Sequence, residues 1–230
     1  FAFVSILKEV CSQRGHFTYI TDNCRPNKII YYNAFSAYTS MLERIKCSAE
    51  EFKKQFSVTN IEGNLLDIIN KSYINCGDAR KLKWLKNNSI DFVITSPPYL
   101  CAQDYIKTMR LINLFFPDER FIDLPNKEIG ARSRRRGKAV EVVRNFYNDM
   151  DDVLGEIRRV LKKDKYFCLV IGQGKGKITQ GYDTVKDIYN LAVKKHNFEA
   201  VFQTIRNINY KAVRVGGVDR EEIIIFQKIK

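Results

Sequence analysis

Histidine is scarce: only His16 and His196 occur, and neither lies near a second pair of metal-ligating side chains. The six cysteines, at 11, 24, 47, 76, 101 and 168, include no Cys-x-x-Cys pair. A zinc site needs clustered ligands, so no structural metal is expected. Scattered thiols of this kind, including the loose group Cys11, His16 and Cys24, read as reduced side chains without disulfides. Long apolar runs are also missing. The longest, Phe1 to Leu7 and Tyr166 to Ile171, fall well short of the roughly 20 residues a bilayer-spanning helix requires. No basic region and small-residue cleavage site make the opening stretch a signal peptide. Acidic residues are in deficit: 26 Asp and Glu against 39 Lys and Arg leave a net charge of +13. A positive field of that size favours polyanionic partners such as nucleic acid. With 45% hydrophobic residues the 230-residue chain can bury a full core, which excludes disordered and fibrous classes.

The pattern along the chain predicts an α/β protein. Phe35, Tyr38, Met41, Leu42 and Ile45 recur at helical spacing, and the polar stretch from Lys46 to Asn60 reads as a connector, so residues 1–60 form a helical segment ahead of a main domain at 61–230. Tyr73 to Asp78 reads as a short strand ending in a turn, and Ile90 to Thr95 as a buried strand stopped by Pro97 and Pro98, the pair forming a βαβ unit. Phe146, Met150, Val153, Leu154, Ile157, Val160 and Leu161 mark a helix, with Lys162, Lys163 and Lys165 at its end where cations suit the helix dipole. Tyr166 to Ile171 is the next strand, with Cys168 in the core. A turn at Gly172-Gln173-Gly174-Lys175-Gly176 precedes a helix carrying Val185, Ile188, Tyr189 and Ala192, a strand at 200–205 and a last strand at 222–229. The expected sheet is mostly parallel with an antiparallel final strand.

Residues 117–140 break this rhythm. They form a loop too long for a plain connection, and such loops usually carry function. Within it Arg132, Arg134, Arg135, Arg136 and Lys138 place five positive charges with no negative one. They are candidate phosphate contacts, against the alternative of a solvated charged face.

The residues most informative about chemistry are Asp91-Phe92-Val93-Ile94-Thr95-Ser96-Pro97-Pro98-Tyr99. A buried strand ends at its carboxyl edge, where open α/β sheets bind ligands, and two prolines then stiffen the turn while Tyr99 supplies an aromatic plane. The Ser96-Pro97-Pro98-Tyr99 turn resembles the catalytic motif of the amino-methyltransferases, which move a methyl group from S-adenosylmethionine to an exocyclic amine of cytosine or adenine in DNA. Cys76-Gly77-Asp78-Ala79-Arg80 is similar to the family's Gly-Asp-Ala turn, whose acid faces the cofactor adenine. Gln103-Asp104-Tyr105, Arg110-Leu111, Ile129-Gly130, Arg159-Val160-Leu161-Lys162 and Arg220 to Phe226 extend the resemblance over residues 73–229.

The resemblance implies a class I methyltransferase-like, Rossmann-like fold with S-adenosylmethionine as cofactor. Asp78, Ala79, Thr95 and Ser96 would bind it, and Ser96, Pro97, Pro98 and Tyr99 would form the catalytic turn. It also implies DNA as partner and a prokaryotic cytoplasm, at the nucleoid, as the location. An acceptor at Ser96 and the Pro97 carbonyl would each take an amine proton and localise its lone pair, while Tyr99 stacks on a base turned out of the duplex. Serine at the first motif position favours cytosine N4 in the family. Adenine N6 methylation, RNA methylation and a nucleic-acid-binding half inactive alone remain open alternatives.

One element of the family pattern is missing, the Phe-x-Gly-x-Gly turn after the first strand. Gly172-x-Gly174-x-Gly176 has the glycines, but it follows the Arg-Val-Leu-Lys helix and so stands in the wrong order. The expectation is that the glycine-rich motif lies upstream of Phe1 or on a second polypeptide. Asp22 reads either as a ribose-binding acid or as a loop cap.

Overall fold

A computed structural model describes Ile6 and residues 33–58, 65–101, 105–108, 110–117, 127–131, 139–174, 178–208, 218 and 220–229. The chain divides into two compact units, one of Phe1–Cys76 with Thr108–Pro117, the other of Gly77–Lys107 with Asp118–Lys230.

In the first unit the principal element is α1, Ala34–Val58. Asn33 caps it, its side-chain oxygen accepting from the Ser36 amide at 3.0 Å. The helix does not stop near residue 46 as the polar composition suggested. No Gly or Pro interrupts residues 34–58. Glu51 and Gln55, one turn apart, are linked at 3.3 Å, so a polar sequence continues the helix where a connector was expected. Two short helices follow, α2 at Leu65–Asn70 and, later in the chain, α4 at Arg110–Phe115.

The second unit is built on a four-stranded mixed sheet. Its strands are β1 Ile90–Thr95, β2 Leu161–Gly172, β3 Phe198–Asn207 and β4 Arg220–Lys228, in the order β1-β2-β4-β3. The β1 and β2 strands pair in parallel, while β4 lies antiparallel to both β2 and β3. Three strands therefore point one way and the last is inserted between two of them in reverse. This is the α/β architecture expected from the sequence.

The short helix α3, Tyr105–Thr108, follows β1, and α5, Ala139–Val160, crosses back to β2. The α5 helix buries Val142, Val143, Phe146, Met150, Val153, Leu154, Ile157 and Val160, a stripe at helical spacing. After β2, Asp183 caps α6, Thr184–Asn190, which continues as a π-helical turn over Leu191–Lys195. The core centres on Phe167, Phe198 and Phe226. The rings of Phe167 and Phe226 stack 4.8 Å apart, and Phe198 meets Phe167 edge-on at 4.8 Å.

Several expectations are corrected. The strand expected to be buried at 90–95 is β1 at the edge of the described sheet, with Phe92 and Ile94 48% and 71% exposed and none of its residues buried. Cys168, expected in the core, is half-buried, because it alternates with Phe167 and Leu169, which take the core face. Among the described residues, 73–78 join no strand, and Tyr73 and Ile74 are 92% and 99% exposed. Residues 79–89 are turns, so the βαβ unit expected there is absent. The lysines after α5 also have another role. Lys162 and Lys165 turn to Asp91, at 2.8 and 3.7 Å, from a bulge between the pairs Ile90↔Leu161 and Phe92↔Tyr166. The last turn of α5 carries its own cations, Arg158 and Arg159, and Lys228 Nζ bonds the carbonyls at its end, those of Arg158 and Leu161, each at 2.7 Å, with Asn88 Oδ1 at 2.8 Å.

Candidate active site

The Ser96–Tyr99 turn leaves the carboxyl end of β1, after Thr95 pairs with Leu169. Ser96 is exposed, Pro97 buried, Pro98 and Tyr99 half-buried, and Leu100 fully buried. The buried residues fix the turn while Ser96 faces outward. Three glycines make this packing possible. Cys101, in the left-handed region at φ 55°, donates its amide to the Gly130 carbonyl at 2.9 Å, and Gly130 itself sits at φ 70°. A Cβ on Gly174 would lie 2.5 Å from the Leu100 carbonyl oxygen, and one on Gly172 would lie 2.9 Å from Tyr99 Cε2.

The Gly172-Gln173-Gly174 turn thus seats the motif from below. Thr179 Oγ1 donates to the Gly174 carbonyl at 2.7 Å. The Gln173 side chain donates to the Tyr182 carbonyl at 2.9 Å and accepts from the Thr184 amide at 2.8 Å, tying the turn to the start of α6.

The Tyr99 hydroxyl donates to Glu221 Oε1 at 2.6 Å. Burial pushes the phenol's pKa well above its ordinary value and the bond to Glu221 adds to this, while a hydrogen bond with Ser96 works against it. Burial also pushes the Glu221 carboxyl up, but the Tyr99 hydroxyl and Arg206 outweigh that and hold it below the usual carboxylate value. Arg206 reaches Glu221 Oε2 through Nε at 3.1 Å and also through Nη2. Glu221 and Arg206 were not picked out from the sequence as site residues, and Gly172 and Gly174 were noted only as a glycine-rich turn standing in the wrong order. One signal was there: alternation puts Glu221 on the same face of β4 as Ile223 and Ile225, an acid in an apolar row.

Asp78 lies on a turn beside α5. Gly77 makes room for Trp84, whose Cη2 would be 2.2 Å from a Cβ there. Both Asp78 oxygens accept from Arg80, Oδ1 from Nε at 2.9 Å and Oδ2 from Nη2 at 2.7 Å, while Arg80 Nη1 reaches Asp149 on α5 at 2.6 Å. The Arg80 bond holds the Asp78 carboxyl below its ordinary pKa, so it is ionised at neutral pH. Ala79 is exposed beside it and Thr95 is half-buried at the strand end. Among the described residues no hydrogen bond or ion pair joins Asp78 to the Ser96–Tyr99 turn. Arg132, Arg134, Arg135, Arg136 and Lys138 lie outside the described residues, as do Gln103, Asp104 and Asp22. Of the long loop, Glu128 caps α3 by accepting from the Tyr105 amide at 2.5 Å.

No protein-family profile matches the chain. It is 29% identical over 113 residues to the type II methyltransferase M.MjaI of Methanocaldococcus jannaschii, covering 49% of this chain and 36% of that protein. Among solved structures, the DNA modification methylase TTHA0409 of Thermus thermophilus superposes with a TM-score of 0.42 at 18% identity, over 67% of this chain and 51% of that one. The cytosine-N4-specific PvuII DNA methyltransferase gives a TM-score of 0.35 at 16% identity, over 66% and 47%. The chain spans about a third of the length of M.MjaI and about half that of these two solved chains.

Proposed function

We propose that this chain carries the catalytic turn of an S-adenosylmethionine-dependent DNA methyltransferase acting on the exocyclic amine of a base, with cytosine N4 as the favoured target. The observation that carries the reading is the Ser96–Tyr99 turn itself: an exposed serine and a braced aromatic ring on a rigid Pro-Pro corner at a strand's carboxyl edge. The local likeness to M.MjaI and the +13 charge support it.

The amine of cytosine is a poor nucleophile because its lone pair is delocalised into the ring. Ser96 Oγ and the Pro97 carbonyl accept hydrogen bonds from its two N–H groups, concentrating the lone pair on nitrogen, and buried Pro97 keeps that carbonyl in place; one of these protons passes to solvent once the N–C bond has formed. Tyr99 supplies a stacking surface for a base drawn out of the helix. When bound, S-adenosylmethionine supplies an electrophilic methyl on a sulfonium.

Asp78 suits the donor groups of that cofactor. Its carboxylate is ionised and 41% exposed, leaving lone pairs for an N–H or O–H beyond those Arg80 uses. Ala79, small and exposed, and Thr95 complete the cofactor side. The Arg132 to Lys138 run supplies phosphate contacts. In this reading the glycine-rich cofactor turn comes from elsewhere, because Gly172 and Gly174 are committed to packing the motif.

The test incubates the protein with labelled S-adenosylmethionine and either DNA or RNA, then identifies the modified base by mass spectrometry. Label on N4 of cytosine in DNA is expected, with transfer reduced at least ~100-fold in Ser96→Ala. Label on adenine N6, or on RNA alone, replaces the substrate assignment. Undiminished transfer by Ser96→Ala removes the mechanism.

A further inference from the structure

Among the described residues only two side chains of the charged types are buried, Glu221 at 9% exposure and Lys228 at 7%, and both lie on β4. A buried carboxylate persists only where hydrogen-bond donors compensate it. Glu221 finds its donors across the sheet. At its level, β2 presents Gly172 and β3 presents Arg206.

Gly172 projects no side chain into that space. A Cβ there would lie 2.7 Å from Val218 Cγ1 and 2.9 Å from Tyr99 Cε2. The Tyr99 ring fills the room the glycine leaves, which brings its hydroxyl onto Glu221 Oε1 at 2.6 Å. Arg206 takes the other oxygen, so each carboxylate oxygen has its own partner. A bond at the para hydroxyl lies on the axis of the ring's own rotation, so it holds the direction in which the ring points and keeps the side chain in one χ1 rotamer, while the close approach of Gly172 leaves the ring its room.

We propose that Glu221 is a positioning residue for Tyr99: its carboxylate anchors the end of the ring over Gly172 and so fixes where the ring lies, and Arg206 braces the carboxylate. This rests on the reading of Tyr99 as the platform on which a target base stacks. A stacking partner held in one place spares the complex the loss of that freedom when the base arrives.

The test is a double-mutant cycle on the full chain with Tyr99→Phe, which keeps the ring and removes its hydroxyl, and Glu221→Leu, which removes the acceptor. Each single change is expected to lower kcat about tenfold, as loss of a hydrogen bond to a charged group does, with the KM for S-adenosylmethionine unchanged. The double variant should be no worse than the poorer single one, because both cut the same link. Losses that multiply in the double variant overturn the proposal.

A second measurement needs no activity. In protein labelled at tyrosine Cζ, the Tyr99 resonance, assigned by its disappearance in Tyr99→Phe, should shift on Glu221→Leu well beyond the other tyrosines; an unmoved resonance overturns the link. If the native protein transfers no methyl group, the methyltransferase reading falls and the resonance alone decides the positioning claim. If Glu221→Leu does not fold, Arg206→Gln takes its place. It should lower kcat in the native background and not in Tyr99→Phe, and equal losses in both overturn the brace.

Discussion

The two ends of β4 bury opposite charges for different purposes. At one end Lys228 is surrounded by neutral acceptors, two main-chain carbonyls and an asparagine oxygen, belonging to the end of α5, the first residue of β2 and the approach to β1. Every partner is scaffold. At the other end Glu221 is held by a phenol from the Ser-Pro-Pro-Tyr turn and by a guanidinium whose side chain is 61% exposed. A buried charge with only scaffold partners stabilises the fold, whereas one whose partner sits in a candidate active site sets the geometry of that site.

The sharpest way to break this contrast is Lys228→Met. Three hydrogen bonds to a charged donor disappear and the carbonyls they served stay buried, so a loss of about 3 kcal/mol is expected, read as a lower midpoint in chemical denaturation. Methyl transfer per folded molecule should not change; a specific loss of activity would erase the distinction between the two ends.

Gly172→Ala comes next. The added methyl overlaps the Tyr99 ring and Val218, and such overpacking costs about 1–3 kcal/mol. Its effect on kcat should match that of Glu221→Leu, since both displace the same ring. An unaltered kcat would show that Tyr99 tolerates displacement.

The smallest effect is acid sensitivity. Asp78 and Glu221 both have pKa values held below their unfolded values. Their contribution is therefore complete above the ordinary carboxylate range and fades as pH falls through their lowered folded values. For Asp78, exposed as it is, this amounts to less than ~1 kcal/mol. Asp78→Asn should flatten the acid limb of a stability-against-pH curve, and an unchanged limb would mean that Arg80 does not hold the carboxyl in solution.

Much of this was legible in advance. The Asp91 to Tyr99 pattern located β1 and the turn, and α5 announced itself by its apolar stripe, because strand alternation and helical periodicity are local properties. Tyr73 to Asp78 misled for the complementary reason: an apolar run becomes a strand only with a partner. The α1 helix runs on past residue 46 because helix formers fill it, Glu51 links to Gln55 one turn on, and Phe52 and Phe56 continue the apolar spacing. Glu221, Gly172 and Arg206 were illegible as a group, since they become neighbours only through β2–β4 and β3–β4 pairing across long separations. Gly172 and Gly174 looked like a ligand loop, yet their missing side chains accommodate Tyr99 and Leu100.

Gly130 has a consequence for the arginines that follow it. Its carbonyl is bonded to Cys101, two residues past Tyr99, and Ala131 beside it is fully buried. The chain then gains at most about 3.5 Å per residue. Arg132 and Arg134 are accordingly leashed to the motif, the second by three residues of chain. On the proposed function, any phosphate they grip would lie within a few nucleotides of a base stacked on Tyr99, and the spacing between backbone contact and reacting base would be a length set by the protein.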